Sequence, residues 1–188
     1  MKIVKTLVRK MYEEANEHQR EENEIWITDL CRCPMKIKFE TEIPELKRNF
    51  LPIYVVGNLV HYGLQSILRE EFNAEIEVKR EKVLDNYKIT GKIDALINDT
   101  GIEIKFSQSD EFIPYEHHIL QCKLYNWLFE LKKTILIYIT PQRIAEFEIE
   151  DRMTDNHVMN LINNTNIPRF KWECKYCEYD MICPYKVK

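Results

Sequence analysis

Glycine is scarce in this sequence, with only four in 188 residues. A phosphate-binding loop of the nucleotide-binding kind needs several glycines at fixed spacing, so that backbone N–H groups can approach the phosphates. Internal repeats and low-complexity segments are absent as well, which argues against a solenoid or a disordered linker. A nucleoside triphosphatase is therefore a poor interpretation of the chain.

Long apolar runs are also missing. No stretch reaches the length needed to cross a bilayer. The first residues, MKIVKTLVRKMYEEANEHQREE, turn acidic where a signal peptide would carry its apolar stretch and cleavage site. We therefore predict a cytoplasmic protein with no membrane partner.

Positive charge is not in excess, because the formal net charge is -4. A uniformly basic nucleic-acid coat is thus excluded, although local patches remain possible. Residues 32–48 and 169–188 each carry a net charge of +2, whereas residues 11–24 carry -5. The two mildly positive segments could border a DNA path, or they could be chance fluctuation on a solvated surface.

The composition is that of one globular domain with a small appended element, since 45% of the residues are hydrophobic. Helical spacing predicts helices at 2–20, from Thr28 or Asp29 through Cys33 to about Glu40, and at 54–71, 114–131 and 153–163. Alternation in EIEVKREKVL, YKITGKIDALI and GIEIKF predicts a three-stranded antiparallel meander from residue 75, followed by strands at TILIYIT and AEFEIE. The order of elements indicates an α+β (α/β) fold.

One hairpin of the meander carries an unusual set of charges. Alternation places Ile89, Ile93 and Ile97 on one face of its first strand and Asp94 on the other. If the strands pair through the turn at 98–101, Asp94 comes close to Glu103, with Lys105 beside them. Like charges at close range raise each other's pKa, and a hard divalent cation such as Mg²⁺ or Mn²⁺ would remove that cost. The alternative is a solvated hairpin face with an ordinary Glu–Lys pair.

Two helices offer further polar residues at one-turn spacing. Gly57 and His61 share a helical face apart from the apolar stripe, and a glycine there permits the close backbone approach that suits a metal-bound imidazole. Gln121 and Tyr125 are spaced in the same way on a later helix, and could position a phosphodiester or a water. His117 and His118 lie on that helix too, and we leave them outside the site.

The ordered set of these motifs resembles the RecB-type nuclease core of the restriction-endonuclease-like PD-(D/E)XK superfamily. Its elements are Gly57-x-x-x-His61, Gly91-x-x-Asp94, Glu103-x-Lys105 and Gln121-x-x-x-Tyr125. The resemblance covers about residues 25–185 and implies a central mixed sheet flanked by helices.

The resemblance also implies roles for individual residues. His61, Asp94, Glu103 and the backbone carbonyl of Ile104 would bind Mg²⁺ or Mn²⁺. The catalytic set would comprise Asp94, Glu103 and Lys105, with Gln121 and Tyr125 positioning the scissile strand.

Six cysteines cluster near the two ends of the sequence, at positions 31, 33, 122, 174, 177 and 183. The tail spacing Cys174-x-x-Cys177-x5-Cys183-Pro184 supplies three thiolates, and a fourth has to come from elsewhere. Four thiolates can hold zinc or an iron-sulfur cluster, and the spacing alone does not choose between them. Cys122 is expected to lie in the core.

The Cys-Pro ending and the nuclease motifs together resemble the CRISPR-associated Cas-four family and its helicase-fused relatives. That resemblance implies a 4Fe-4S cluster and makes Cys33, in CPMKIKF, the fourth ligand beside Cys174, Cys177 and Cys183, in preference to Cys31. We expect a single nuclease domain over 1–188, a core at about 54–150, and an iron-sulfur cap formed by about 25–45 and 168–188. One ligated centre would then join the two ends of the chain.

The resemblance implies a divalent-metal-dependent DNA exonuclease that acts on single-stranded DNA or DNA ends, in the processing of spacer precursors during CRISPR adaptation. CRISPR adaptation proteins and further copies of the chain are possible partners, and a viral or repair nuclease of the same fold is an alternative. Aromatic residues of the tail could stack on bases or pack the cap onto the core: Trp172, Tyr176, Tyr179 and Tyr185. The rival hypothesis is a non-catalytic, zinc-stapled nucleic-acid-binding or accessory module.

Overall fold

A computed structural model describes residues 2–16, 21, 23–46, 51–164 and 166–187. The helices are α1 (Ile3–Asn16), α2 (Ile27–Leu30), α3 (Pro34–Glu42), α4 (Pro52–Phe72), α5 (Glu116–Leu128) and α6 (Asp155–Asn163). The strands are β1 (Glu24–Trp26), β2 (Glu75–Leu84), β3 (Tyr87–Ile97), β4 (Thr100–Phe106), β5 (Lys133–Ile139) and β6 (Ile144–Ile149). Short 3-10 helices lie at Pro44–Leu46 and Lys171–Tyr176.

The six strands form one mixed sheet with β3 at its centre. β2 pairs with one edge of β3 in antiparallel fashion along almost its whole length. The other edge is shared, because β1 runs parallel to residues 88–90 while β4 runs antiparallel to residues 95–97. β5 continues from β4 in parallel, and β6 closes the sheet in antiparallel fashion. The predicted α+β architecture with a central mixed sheet is confirmed.

The middle of β3 departs from regular alternation. Ile89 and Ile93 pack in a cluster with residues of α2 and α5, whereas Ala95 and Ile97 pack with residues of α4. Regular alternation would keep all four on one side. Opposite Asp94 in the β2–β3 register lies Glu77, whose φ of 55° is rare for a residue within a strand. The expectation that Ile97 shares a face with Ile89 and Ile93 is therefore wrong, because the strand changes faces at Asp94.

Helices cover both sides of the sheet. α4 lies over the cluster that contains Ala95, Ile102, Ile104 and Ile137. On the opposite side, α2 and α5 bury a larger cluster that includes Ile27, Leu124, Tyr125, Trp127 and Leu128. Apolar residues of α1 remain exposed, as Ile3, Val4 and Leu7 show. No helix within the described residues is long and apolar enough to cross a membrane.

The carboxyl-terminal segment is fastened to α3 largely by polar contacts. The buried carboxylate of Glu173 accepts the N–H of Cys33 at 2.6 Å and that of Phe170 at 2.8 Å. Lys36 pairs with Glu178 at 2.9 Å, and the rings of Phe39 and Tyr179 stack at 5.5 Å. Two sequence segments 140 residues apart are thus held together by buried charge and ring packing.

Most helices and strands occur where the sequence predicts them, including the meander β2–β3–β4 and helices α4, α5 and α6. Two differences stand out. The helix predicted from Thr28 or Asp29 to Glu40 is broken at 31–33 into α2 and α3, and β1 is not predicted at all. The predicted first helix is present as α1 over Ile3–Asn16, and its residues 17–20 lie outside the described part of the chain.

Gly91 lies on β3 under side chains of α2 and α5. A Cβ atom there would stand 2.6 Å from Cδ2 of Leu128 and 3.2 Å from Cε1 of Tyr125. We predict that Gly91→Ala lowers the free energy of unfolding by about 1–3 kcal/mol, because the packed side chains must move. The measurement is urea unfolding of the variant beside the wild-type protein.

Gly57 provides the matched control, since an alanine methyl group at this position would have no packed neighbour within 4 Å. Because glycine in a helix interior is less favourable than alanine, Gly57→Ala should leave stability unchanged or raise it by up to about 1 kcal/mol. Equal destabilisation by both changes would contradict the packing described for Gly91.

Candidate active site

A cavity of about 820 Å³ opens between α4 and residues of β2, β3 and β4. One wall is formed by α4 residues that include Tyr54, Gly57 and His61, and the other by Lys105 and Phe106. Glu77 and Lys92, on β2 and β3, also line it. The cavity thus lies beside the point at which β3 changes faces.

Asp94 lies at the end of the ladder between β3 and β4. The last described pair of that ladder is Ala95 with Ile102, and beyond it the N–H of Ile104 donates to Oδ2 of Asp94 at 2.7 Å. The other oxygen, Oδ1, lies 3.3 Å from Nδ1 of His61. One carboxylate therefore replaces a backbone acceptor, joins β3 to β4 and contacts α4.

Glu103 is almost completely buried and its two oxygens have different surroundings. Oε1 lies 2.5 Å from the Lys105 ammonium and accepts the Gln121 amide at 2.8 Å. Oε2 is also buried and has no hydrogen-bond partner among the described residues. A buried oxygen without a partner is costly, so this atom is available for a cation or a proton.

Gln121 and Tyr125 lie behind Glu103 rather than on the cavity wall. The Gln121 amide also donates to the Tyr125 hydroxyl at 3.0 Å, and that hydroxyl donates to the Lys92 carbonyl at 2.8 Å. Both side chains are buried. In this structure they hold Glu103 against β3, and their positioning of a scissile strand stays a prediction.

The protonation equilibria of the cluster are shifted by burial and by its own charges. Burial raises the pKa of Glu103 to about 7, although the Lys105 charge acts in the opposite direction. Burial lowers the pKa of Lys105, but the carboxylates of Glu103 and Asp94 outweigh it and hold that pKa above its usual value. Burial likewise lowers the pKa of His61, and the hydrogen bond and charge of Asp94 more than offset it.

The structure brings together the four ionisable side chains that the resemblance assigns to metal binding and catalysis: His61, Asp94, Glu103 and Lys105. Carboxylates, an imidazole and a backbone carbonyl are ligands suited to Mg²⁺ or Mn²⁺. Their types therefore fit a divalent cation. In the described parts of the chain, no three His, Cys, Asp or Glu side chains stand in a finished metal-binding arrangement.

Gly57 lies on the side of α4 that borders the cavity. A methyl group at that position would have no packed neighbour within 4 Å, so the glycine allows no close contact between α4 and the sheet. It borders the cavity one turn before His61. Its effect is to leave the cavity open.

Sequence reasoning missed a network of polar residues on the cavity wall, formed by Gln65, Glu77 and Lys92. Gln65 donates to Glu77 at 2.6 Å and to the Asp94 carbonyl at 3.3 Å, and Lys92 forms an ion pair with Glu77. These contacts hold β2 where Glu77 takes its left-handed backbone. The strand's regular alternation gave no sign of this, because Glu77 and Lys92 look like ordinary exposed positions.

The cysteines separate into two groups. Cys33, Cys174, Cys177 and Cys183 line one narrow cavity between α3 and the carboxyl-terminal segment. Cys31 instead packs in the α5 side of the core, and Cys122 is buried with Leu136 and Tyr138. Four thiols around one cavity fit a thiolate-bound metal or cluster, with Cys31 outside the set.

His117 and His118, left outside the site by the sequence, contact aromatic rings. Nδ1 of His118 lies 2.6 Å from the Tyr138 hydroxyl, and the His117 ring lies 4.7 Å from that of Trp172. Burial lowers the pKa of both imidazoles, that of His117 to about 4. Both rings are therefore neutral near pH 7.

Comparison with known proteins gives a consistent result. No family model matches the chain, but a protein named CRISPR-associated exonuclease Cas4, from Saccharolobus solfataricus, is 44% identical over 98% of this chain and 99% of its own. The crystal structure of SSO0001 superposes with a TM-score of 0.91 at 43% identity, over 99% of this chain and 98% of that one. An alkaline exonuclease from Laribacter hongkongensis (TM-score 0.54, 10% identity, 75% and 83% covered) shares the fold.

We predict that Mn²⁺ raises the melting temperature of the protein and that the increase grows between pH 6 and pH 8. Because the pKa of Glu103 lies near 7, a proton competes with the cation at lower pH, and the apparent affinity should fall by up to about tenfold per pH unit. The measurement is a thermal-shift titration at pH 6, 7 and 8.

Without added cation, the stability of the protein should fall as pH rises from 6 to 8. A carboxyl whose pKa is raised from 4.5 by folding contributes less to stability as pH rises through that window, and the raised pKa of His61 acts in the same direction. Glu103→Gln is the control and should remove the part of the pH dependence of the Mn²⁺ effect that the Glu103 proton contributes, while the part due to His61 remains. An increase in melting temperature of equal size at pH 6 and pH 8 would show that Glu103 does not bind the ion.

Proposed function

The chain belongs to the family of CRISPR-associated Cas4 exonucleases, the Cas-four family that its motifs resemble, and we propose that it hydrolyses DNA phosphodiesters in the cavity beside α4. It is a nuclease with the fold of PD-(D/E)XK-like exonucleases. The observation that carries the proposal is that His61 and Lys105, which line one cavity, contact the carboxylates of Asp94 and Glu103 directly behind its wall. Its preferred substrates are single strands and DNA ends, and its cellular role is the processing of spacer precursors.

The cation site in this proposal consists of His61, Asp94, Glu103 and the carbonyl of Ile104. The buried Oε2 of Glu103, which has no partner among the described residues, supports it. So does the position of Asp94, which already contacts both His61 and the backbone of Ile104. A bound Mg²⁺ or Mn²⁺ ion would lower the pKa of a water molecule and neutralise charge on the phosphate.

Lys105 contributes a fixed positive charge at the cavity wall. Its pKa is held above the usual value, so the ammonium is protonated at neutral pH. Only about 20% of the side chain is exposed, and in such a partly dehydrated site a charge stabilises a developing phosphate charge more than it would in water. Lys105 thus orients and stabilises the scissile phosphate.

Gln121 and Tyr125 act as positioning residues. They fix one oxygen of Glu103 by a hydrogen-bond chain that ends on the β3 backbone. With that oxygen held, the other points to a defined place. Their effect on cleavage is therefore exerted through Glu103.

Cys33, Cys174, Cys177 and Cys183 bind a 4Fe-4S cluster in this proposal. Their shared cavity supports a four-thiolate site, and the choice of iron-sulfur over zinc rests on the resemblance of the Cys-Pro and nuclease motifs to the Cas-four family. Burial raises the pKa of Cys33 and of Cys177, so these thiols give up their protons when metal binds. The cluster reinforces the contact of the cap segments, 25–45 and 168–188, which Glu173 already makes.

We predict that Asp94→Asn and Glu103→Gln each reduce Mn²⁺-dependent cleavage of labelled single-stranded DNA by about 10²-fold or more. Asp99→Asn is the matched control, because Asp99 lies in the same hairpin but pairs with Lys132 away from the cavity. It should keep wild-type activity. Wild-type protein that cleaves no DNA with Mg²⁺ or Mn²⁺, or an Asp94→Asn variant that cleaves normally, would refute the assigned site.

We predict that the protein purified without oxygen is brown and contains about four irons per chain. Cys33→Ala should lose iron and melt at lower temperature, since the loop closed by the cluster is released. Cys31→Ala is the control and should retain iron, because that thiol lies in the core outside the cysteine cavity. A colourless protein that contains zinc would overturn the cluster.

A further inference from the structure

A second groove, of about 740 Å³, runs between the loop before α5 and the carboxyl-terminal segment. We call it the aromatic groove and define it by the rings of Phe112, Tyr115, His117, Trp172 and Tyr176. Phe106 lines both this groove and the active-site cavity. The two depressions are therefore neighbours that share a wall residue.

We propose that the aromatic groove binds unpaired DNA bases by stacking, and so holds the strand that leads to or from the active-site cavity. This inference rests on the nuclease function proposed above and adds a binding site to it. The occupant is single-stranded DNA, whose base faces are free, whereas a duplex keeps them inside its own stack.

The exposure of the rings supports this proposal. Trp172 is 41% exposed, Tyr176 69% and Phe112 81%, so large aromatic faces remain in contact with water. Trp172 lies 6.5 Å from Tyr176 at an angle of 56°, so these two rings are not stacked on each other. Phe170 stacks on Trp172 at 6.0 Å, which fixes the orientation of the indole ring. Exposed aromatic faces beside a nuclease site are a recurring means of holding single strands.

The backbone at Phe112 supports it as well. Its φ of 62° lies in the left-handed region, which is unfavourable for a bulky aromatic residue. Such strain concentrates at functional sites, where the surrounding structure maintains it. Here the loop is held by contacts of Ser107 and Ser109 and by the ion pair of Asp110 with Arg143. The side chain of Phe112 is thereby held exposed at the edge of the groove.

The floor of the groove is fixed in advance. The Tyr115 N–H donates to the Tyr138 hydroxyl at 3.0 Å, and that hydroxyl also contacts His118 at 2.6 Å. The rings of Tyr115 and His117 stack at 5.8 Å with an angle of 12°. His117 is a neutral ring near pH 7, because its pKa is lowered to about 4 by burial. Little ordering remains to be done when a base enters.

Charge alone does not make this groove a phosphate track. The lining includes two side chains of opposite charge, Lys175 and Glu111, so the groove carries no net positive charge from them. Nζ of Lys175 lies 5.3 Å from the centre of the Tyr176 ring, so it can accompany a stacked base and contact its phosphate. Stacking on the bases should therefore contribute more to the affinity than contacts with the phosphates. In an ordinary basic patch the phosphate contacts would dominate.

The test compares normal single strands with strands of equal length that contain abasic sites, which keep the phosphates and lack the bases. Affinity is measured by fluorescence anisotropy on the full-length protein without added divalent cation. We expect the wild-type protein to bind the abasic strand about tenfold or more weakly, and the double variant Trp172→Ala/Tyr176→Ala to bind both strands alike. The single variant Trp172→Phe, which keeps an aromatic ring, should retain most of the difference in affinity between the normal and the abasic strand.

Two controls make the outcome specific. Phe72→Ala removes an exposed aromatic residue outside the groove and should behave as wild type. Quenching of tryptophan fluorescence by the normal strand should disappear in Trp172→Ala, since Trp127 is buried and Trp26 lies outside the groove. If wild-type protein binds both strands equally, or the double variant still favours bases, the groove does not bind bases, and an apolar peptide becomes its better occupant.

Failure of this inference is distinguishable from failure of the proposed function. Wild-type protein that cleaves DNA with Mn²⁺ but shows no preference for bases retains the nuclease site and loses the groove. Wild-type protein that discriminates the abasic strand but hydrolyses no DNA retains the groove and loses the nuclease proposal.

Discussion

The hydrogen bond from the N–H of Ile104 to Oδ2 of Asp94, at 2.7 Å, holds the centre of this structure together. It forms where the ladder between β3 and β4 ends, so a side-chain oxygen takes the place of a backbone acceptor. The same carboxylate contacts His61 on α4. The Asp94 carboxylate therefore fixes β3, β4 and α4 relative to each other. It determines both the width of the cavity between α4 and the sheet and the position of the His61 ring.

Burial of Glu103 beside Lys105 is the second constraint, and it depends on the first. An isolated buried charge is expensive, and a pair becomes tolerable only when its remaining polar atoms have partners. One oxygen of Glu103 contacts Lys105 and Gln121, and Gln121 is itself hydrogen-bonded to Tyr125. The other oxygen has no hydrogen-bond partner among the described residues. A site of this kind is stabilised by a cation more than an ordinary surface pair would be, and this links the fold to the proposed chemistry.

The local patterns of the sequence predicted the meander and the proximity of Asp94 and Glu103, because alternation and a short turn determine register. They could not predict that β3 changes faces at Asp94, since Ile93 and Ala95 are both apolar and only their packing partners differ. The three residues of β1 are too few to show a period, and the break between α2 and α3 interrupts an apolar pattern that continues through it. The buried Glu173, which fastens the tail to Cys33, had no local signal either.

The role of the cysteines follows from the same packing. Cys31 and Cys33 are two residues apart, yet one faces the core and the other the cavity of the tail, because the chain turns between α2 and α3.

The most direct test of the central claim is anomalous diffraction at the manganese edge from crystals soaked in Mn²⁺. The account predicts a peak within bonding distance of His61, Asp94 and Glu103; a peak elsewhere, or none at this site, would contradict it.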